Sequence, residues 1–306
     1  MNPTVSVILP SHNRKDSIRA SATSVLSQSF GDLELIVVDD GSKEDIKSVL
    51  DAIGDPRIKY IRREQNGGAA AARNTGVAAA QGTFVAFQDS DDLWLPKKLE
   101  WQLAMFAALP DDVGVVTSHR IIYGRDENYV FGADKVCVAP DLSKAIDQSN
   151  QVGSMLDANR LVLPCALFRR NLLPTADWFD ICAKANEDWE FAVRISQITR
   201  IHEDNRPVML AYVSPDSISG SRSKQAMGTV RILTVNRELL RQYPSQRAAI
   251  MVDIARSLAA TGKTRWARRF IVESVRAHPS AIWLLAQSQM RRTGRSLRRV
   301  AHSFLG

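Results

Sequence analysis

Three carboxylates fall within four residues at Asp89-Ser90-Asp91-Asp92, directly after the apolar run Thr83-Phe84-Val85-Ala86-Phe87. Like charges at this density repel one another unless a divalent cation lies among them. Hard oxygen ligands suit Mg²⁺ or Mn²⁺, ions that also bind diphosphate oxygens. The cluster therefore reads either as a site for a metal-bound phosphorylated substrate or as a solvated acidic turn. Asp39 and Asp40 stand beside Gly41, which permits a tight turn. A carboxylate there can accept from a base N–H or from ribose hydroxyls, or it can build a helix cap or an Asx-turn. Arg73 and Asn74 follow the Gly67-Gly68 pair. Arg73 could offset the aspartates, contact a nucleotide, or form a surface salt bridge.

The elements that must carry these residues alternate between strand and helix. Val5–Leu9, Leu33–Val38, Ile58–Ile61 and Thr83–Gln88 have strand character. Asp16–Gln28, Glu44–Ile53 and Ala69–Ala80 repeat apolar residues at helical spacing. Gly82 is expected to end the third helix as a C-cap. This order predicts an α/β fold with a largely parallel sheet and helices on both faces. Open parallel sheets collect ligands beyond the C-terminal ends of their strands. Those ends carry Pro10-Ser11-His12-Asn13, Asp39-Asp40-Gly41-Ser42 and Asp89-Ser90-Asp91-Asp92, so three polar groups distant in sequence converge on one edge.

Further along, Pro96 is placed to open a helix over Lys97–Leu109. Val113–Thr117 is a strand candidate, residues 120–150 are polar and mixed, and Leu161–Phe168 and Pro207–Val213 are further strand candidates. Asn186-Glu187-Asp188-Trp189 precedes a helical pattern reaching Ile198, which Asp188 could N-cap. Trp189 could offer a platform to a sugar face or pack in the core. After Gly220 the pattern is helical only, with candidates at Val230–Tyr243, Ala248–Ala260, Thr264–Ala277 and Ala281–Met290.

Several motifs are absent. No Gly-x-Gly-x-x-Gly follows the first strand. Gly262-Lys263-Thr264 ends like a P-loop, but Ser257 stands where that loop needs glycine. The five histidines are scattered, and no Gly-x-Ser-x-Gly elbow occurs. The motifs Val5–Asn13, Leu35–Ser42, Gly67–Gly76 and Phe84–Asp92, followed by Glu187-Asp188-Trp189, instead resemble in order and spacing those of family 2 glycosyltransferases. The resemblance covers roughly residues 3–215.

That resemblance implies a GT-A fold with a Rossmann-like, mainly parallel sheet, and a C-terminal helical extension lies outside it. It also implies inverting transfer from a nucleotide-diphosphate sugar, usually a UDP-sugar, to a hydroxyl acceptor. On these positions, Pro10, Ser11, Asn13 and Asp40, with Arg73 nearby, border the nucleotide together with Asp89 and Asp91. Asp91 and Asp92 are the preferred ligands of Mn²⁺ or Mg²⁺. Asp188 matches the general base. Glu187 and Trp189 fall on the acceptor side, which residues 153–170 also help to build. Glycosyl transfer needs a stabilised leaving diphosphate and a base on the opposite sugar face, and the carboxylates suit both tasks.

Three scattered cysteines fit a reducing, cytoplasmic compartment better than a disulfide framework. Residues 1–10 show no signal-peptide pattern, and no uncharged apolar run of 18 residues predicts a membrane span. The net charge of +7 is uneven. Residues 1–219, the expected catalytic domain, carry 23 Lys+Arg against 30 Asp+Glu. Residues 220–306, the expected basic helical region, carry 17 against 3. That region could lie on an anionic membrane, which would suit a lipid-linked or glycan acceptor in surface polysaccharide or glycolipid synthesis and a peripheral position on the inner membrane face. It could equally be a solvated helical cap. Nucleic acid is the poorer partner, since no recognition motif accompanies the charge. Two other readings remain for the whole chain: a nucleotidyltransferase, and a nucleotide- or glycan-binding module that has lost transfer.

Overall fold

The computed structural model describes residues 2–124, 135–140, 145–183, 185–213 and 222–286. The chain divides into two compact units, Met1–Ser217 and Ile218–Gly306.

The first unit runs β1 (Val5–Ser11), α1 (Lys15–Leu26), β2 (Leu33–Asp39), α2 (Ile46–Asp51), β3 (Ile58–Arg62), α3 (Ala69–Ala79), β4 (Phe84–Phe87), β5 (Leu93–Trp94) and α4 (Lys98–Ala108). It continues through β6 (Val113–Gly124), β7 (Lys135–Ala139), α5 (Gln151–Asp157), β8 (Ala166–Arg169), α6 (Glu187–Ile195) and β9 (Arg200–Val213). The nine strands form one sheet in the order β3-β2-β1-β4-β8-β6-β9-β5, with β7 on β6. Strands β3, β2, β1 and β4 are mutually parallel, β8 is antiparallel to both β4 and β6, and β9 is parallel to β6.

The apolar runs Val7–Leu9 of β1 and Leu35–Val38 of β2 follow from burial on both faces, as parallel strands require. Val5, Val7, Leu9, Leu33, Leu35 and Val37 pack with Ile18, Ala22 and Val25 of α1, Ile46 and Leu50 of α2, and Leu99 and Phe106 of α4. The opposite face receives α3. A Cβ on Gly76 would lie 2.3 Å from Ile8 Cγ2, so only glycine lets α3 approach β1 this closely. Ser11 stands level with Asp39, and Ile8 with Phe87. The three polar segments therefore leave the sheet at one edge.

Several local expectations change. Strand β6 has 12 residues and continues past Thr117, because its polar stretch is buried, not solvated. Gln102 Nε2 donates to Ser118 Oγ at 3.2 Å, and His119 Nε2 lies 3.5 Å from Glu203 Oε1, itself paired with Arg160 at 2.5 Å. Backbone pairing of Val113–Thr117 with Arg200–Glu203 carries β9 back to Arg200. Residues 163–165 form a 3₁₀ turn, which shortens the strand expected there. Gly82 is not a C-cap: α3 ends at Ala79, and a Cβ on Gly82 would meet the Ser6 amide at 2.6 Å. Pro96 precedes α4 without opening it, and its carbonyl accepts from the Ser29 amide at 2.9 Å.

The second unit contains α7 (Arg222–Val235), α8 (Leu239–Gln242), α9 (Pro244–Ala260) and α10 (Thr264–Ala277), and residues 280–286 are again helical. The helix expected from Val230 to Tyr243 is interrupted after Val235, where the buried Asn236 side chain donates to the Ile232 carbonyl at 3.1 Å. Pro244 opens α9. Ala248, Val252 and Ala281 form a core with Ala277, Leu284 and Leu285. Met290 and the arginines from Arg291 onward lie outside the described residues. No helix among the described residues is long and apolar enough to cross a membrane.

Candidate active site

The loops after β1 and β2 are stitched together. The Asp40 amide donates to the Ser11 carbonyl at 2.8 Å, and His12 Nδ1 lies 3.0 Å from the Asp40 carbonyl. Asn13 has φ 51°, a left-handed conformation that asparagine tolerates. Its amide donates to Ser42 Oγ at 2.9 Å, and its Oδ1 accepts from the Lys43 amide at 2.9 Å. Pro10 pairs with Val38 within the sheet. Ser11 Oγ is buried and has no hydrogen-bond partner among the described residues.

Asp39 and Asp40 do different work. Asp39 is fully buried and accepts from the Ser42 amide at 2.8 Å, Tyr60 Oη at 2.6 Å and Arg62 at 2.8 Å. Burial opposes its charge, but the Ser42 and Tyr60 hydrogen bonds and the Arg62 charge hold it below the usual carboxylate range. Asp40 accepts from the amides of Gly67 (3.1 Å) and Gly68 (2.7 Å) and pairs with Arg63. A carboxylate at these amides satisfies donors just ahead of α3 and favours the helix dipole. The cation meeting Asp40 is thus Arg63.

Arg73 instead joins the two acidic segments. Its guanidinium donates to Asp89 Oδ1 at 3.0 Å and to Glu187 Oε1 at 2.7 Å, and it lies 5.6 Å from the Phe179 ring centre. Its side chain is only 9% exposed, so this is no surface salt bridge. Burial works against its charge, but Asp89, Glu187 and Asp188 raise its pKa well above the ordinary value. The neighbouring Asn74 exchanges two hydrogen bonds with the Phe179 backbone, at 2.8 and 2.9 Å. Phe179 belongs to an aromatic cluster with Phe87, Trp178 and Phe191, and its contacts with Arg73 and Asn74 tie α3 to the segment leading into α6.

Within the acidic turn, the Asp92 amide donates to the Asp89 carbonyl at 3.3 Å, and Ser21 Oγ holds that carbonyl at 2.7 Å. Asp89 and Asp91 keep side chains 35% and 31% exposed, whereas Asp92 is only 6% exposed. Burial and then the Asp89 charge raise the Asp91 pKa, against a weaker pull from Arg14 at 3.7 Å. This turn therefore presents two open carboxylates with incomplete charge compensation.

Asp188 lies in the first turn of α6, whose N-cap position is Asn186 at φ 58°, so Asp188 does not N-cap this helix. Asp188 Oδ2 accepts from Asn159 Nδ2 at 2.9 Å, and Oδ1 from the Trp189 amide at 2.8 Å. Burial first, and then the Glu187 charge, push its carboxyl up to about 6 despite Arg73. A half-buried carboxyl with such a pKa can hold or release a proton near neutrality. Trp189 is only half-buried, and its Nε1 is anchored to the Met155 carbonyl at 2.6 Å.

Pattern reading overlooked Arg63, Asn159 and the Asn74–Phe179 link. Arg63 stands just ahead of the glycine pair, which was a usable signal. Nothing local marks Asn159, because its partner is 29 residues away.

A mixed sheet whose β3-β2-β1-β4 half is parallel, with an acidic turn after β4 and a second acidic segment bridged to it, is the architecture of the GT-A fold. The chain belongs to glycosyl transferase family 2, whose family model matches residues 6–174. It is similar to the Escherichia coli UDP-Glc:alpha-D-GlcNAc-diphosphoundecaprenol beta-1,3-glucosyltransferase WfgD, with 46% identity over 101 residues, 33% of this chain and 40% of that one. The match thus spans about two fifths of that relative's length. Among solved structures, the mannosyltransferase PcManGT from Pyrobaculum calidifontis, in complex with GDP-Man and Mn²⁺, superposes with TM-score 0.59 at 18% identity, covering 95% of this chain and 81% of the other. TarS from S. aureus, in complex with UDP-GlcNAc, gives 0.57 at 19% identity, covering 90% of each chain. At these identities the likeness is one of fold.

Proposed function

We propose that this chain transfers a sugar, with inversion, from a nucleotide-diphosphate donor to a hydroxyl of a lipid-linked or glycan acceptor in cell-surface polysaccharide synthesis. The observation that carries the reading is the Arg73 bridge. It brings Asp89, at the end of β4, within one guanidinium of Glu187, and Glu187 precedes an Asp188 whose carboxyl is poised near 6.

In this reading Pro10, Ser11 and Asn13 border the nucleotide, and Asp40 shapes that wall through the glycine loop it holds. Asp91 and Asp92 would hold Mn²⁺ or Mg²⁺, with Asp91 the more open of the two. The described residues contain no group of three or more candidate metal ligands. The carboxylate pair fits a hard cation that completes its shell with water and substrate phosphate oxygens. When bound, such an ion supplies positive charge to the leaving diphosphate.

The chain's own residues do the rest. An acceptor hydroxyl attacks the anomeric carbon as the bond from that carbon to the diphosphate oxygen breaks, and the bonding pair leaves with the diphosphate. Asp188 takes the hydroxyl proton. Asn159 keeps its carboxylate aimed, and Arg73 limits the repulsion between Glu187 and Asp188. Glu187 and Trp189 stand on the acceptor side.

A UDP-sugar is the proposed donor. WfgD is named for a UDP-glucose donor and a diphosphoundecaprenol acceptor, and TarS was solved with UDP-GlcNAc. Such an acceptor would bring the enzyme to the inner face of the membrane. Calorimetry with UDP, GDP, dTDP and CMP, each with and without Mn²⁺, tests the pocket. Metal-dependent binding of UDP supports the proposal, preference for another diphosphate changes the donor class, and absence of binding to all four rejects it.

A further inference from the structure

Helix α10 buries only one side. Ala267 and Ser274 are 3% and 0% exposed, while Phe270 and Ile271 are half-buried. At 100° per residue, Arg265, Arg268, Arg269, Val272 and Arg276 fall within one outward arc of about 100°. Arg276 pairs with Glu273 at 2.7 Å. Among the described residues, Arg265, Arg268 and Arg269 form no ion pair, and Arg269 lies 5.7 Å from the Trp266 ring centre. Large apolar side chains are exposed along the same stretch: Trp266 55%, Val272 49%, Ile282 59% and Trp283 62%.

We propose that α10 and the helical turns after Pro279 form a docking face for an anionic phospholipid surface. The arginines would meet headgroup phosphates, and Trp266, Ile282 and Trp283 would enter the boundary between headgroups and acyl chains. Interfacial helices combine a basic polar face with aromatic and aliphatic residues in this way, and tryptophan favours that depth. Each cation near such a surface strengthens binding severalfold, and salt screens the effect.

Two other occupants fit less well. Nucleic acid or an acidic protein would engage the arginines but has no evident use for Ile282 and Trp283. A second copy could cover the apolar residues, but it would bring two regions of 17 cations and 3 anions together. The proposal does not depend on the catalytic reading, since vesicle binding is read without turnover.

The test is co-sedimentation of the full chain with phosphatidylcholine vesicles, with and without phosphatidylglycerol. Partitioning should need the anionic lipid and weaken with salt. The triple variant Arg265→Glu, Arg268→Glu, Arg269→Glu should partition at least about tenfold more weakly. Trp266→Ala with Trp283→Ala should weaken binding even at low salt. These side chains are exposed, so circular dichroism should match the parent; the milder Arg→Gln triple serves if the reversal unfolds. Absence of binding, equal binding to neutral vesicles, or parental binding by the triple variant overturns the proposal. So does an equally tight RNA complex indifferent to the tryptophans, or a dimer that the tryptophan variant dissolves.

Discussion

Arg73 donates to Glu187 Oε1 at 2.7 Å across 114 positions of sequence, and its second terminal nitrogen holds Asp89 at 3.0 Å. One buried cation thereby fixes the distance between the acidic turn after β4 and the acidic start of α6. Without it, Asp89, Glu187 and Asp188 would face one another uncompensated.

Replacing the buried Arg73 with methionine leaves Glu187 and the partly exposed Asp89 without their shared cation, which for partly solvated groups costs about 1–3 kcal/mol, below the ~3–5 kcal/mol of a fully buried pair. Thermal or denaturant unfolding should show a loss of that order. Arg73→Lys should recover only part of it, because one ammonium cannot reproduce the two-armed contact. Parental stability in Arg73→Met would show that the bridge carries no structural load.

The pH response of Asp188 has a definite sign. Its carboxyl is raised to about 6, so the native chain keeps a proton that the unfolded chain loses near pH 4. Its contribution to stability is greatest at low pH and falls as pH rises from about 4 to 6. Asp188→Asn should therefore raise Tm more at about pH 7.5 than at about pH 4, on either side of that window. The proposed base is active when ionised, so kcat/KM should climb through a limb near 6, and Asp188→Asn should lower turnover about 10²–10⁴-fold. Turnover at the parental rate would remove Asp188 as the base.

Asn159 acts through Asp188. Its Nδ2 donates to Oδ2 at 2.9 Å, while its own Oδ1 is fixed by the Leu161 amide at 3.1 Å. Asn159→Leu deletes a donor that favours the carboxylate, so the acid limb of the kcat/KM profile should move to higher pH. A purely structural role would lower activity without moving that limb.

Gly76→Ala tests how α3 seats on the sheet. The new Cβ would meet Ile8 Cγ2 at 2.3 Å, so overpacking should cost about 1–3 kcal/mol even though alanine favours helix. Ile8→Ala removes the obstructing methyl, so the double variant should be more stable than the two single losses predict. Strict additivity would mean that the contact is not what excludes alanine.

Much of the fold was legible in the chain. The apolar runs of β1 and β2 announce strands buried on both faces, and the periodicities of α1 and α10 announce helices, because these patterns report a local environment. The acidic turn at Asp89–Asp92 was legible for the same reason: three charges in four residues are conspicuous wherever they lie. The extents of β6 and β9 were not. Ser118, His119 and Glu203 look solvated until Gln102 and Arg160, remote in sequence, are folded against them.

The sequence by itself determined which residue types stand at the ends of β1, β2 and β4, since strand and turn propensities act over a few residues. Tertiary structure alone decided their partners. It gave Asp40 to Arg63 and the glycine amides, Arg73 to Asp89 and Glu187, and Asp188 to Asn159. Ion pairs and hydrogen bonds act within a few ångströms, and only the packing of α3, the Trp178–Phe179 segment and α6 brings residues so far apart in the chain within that reach.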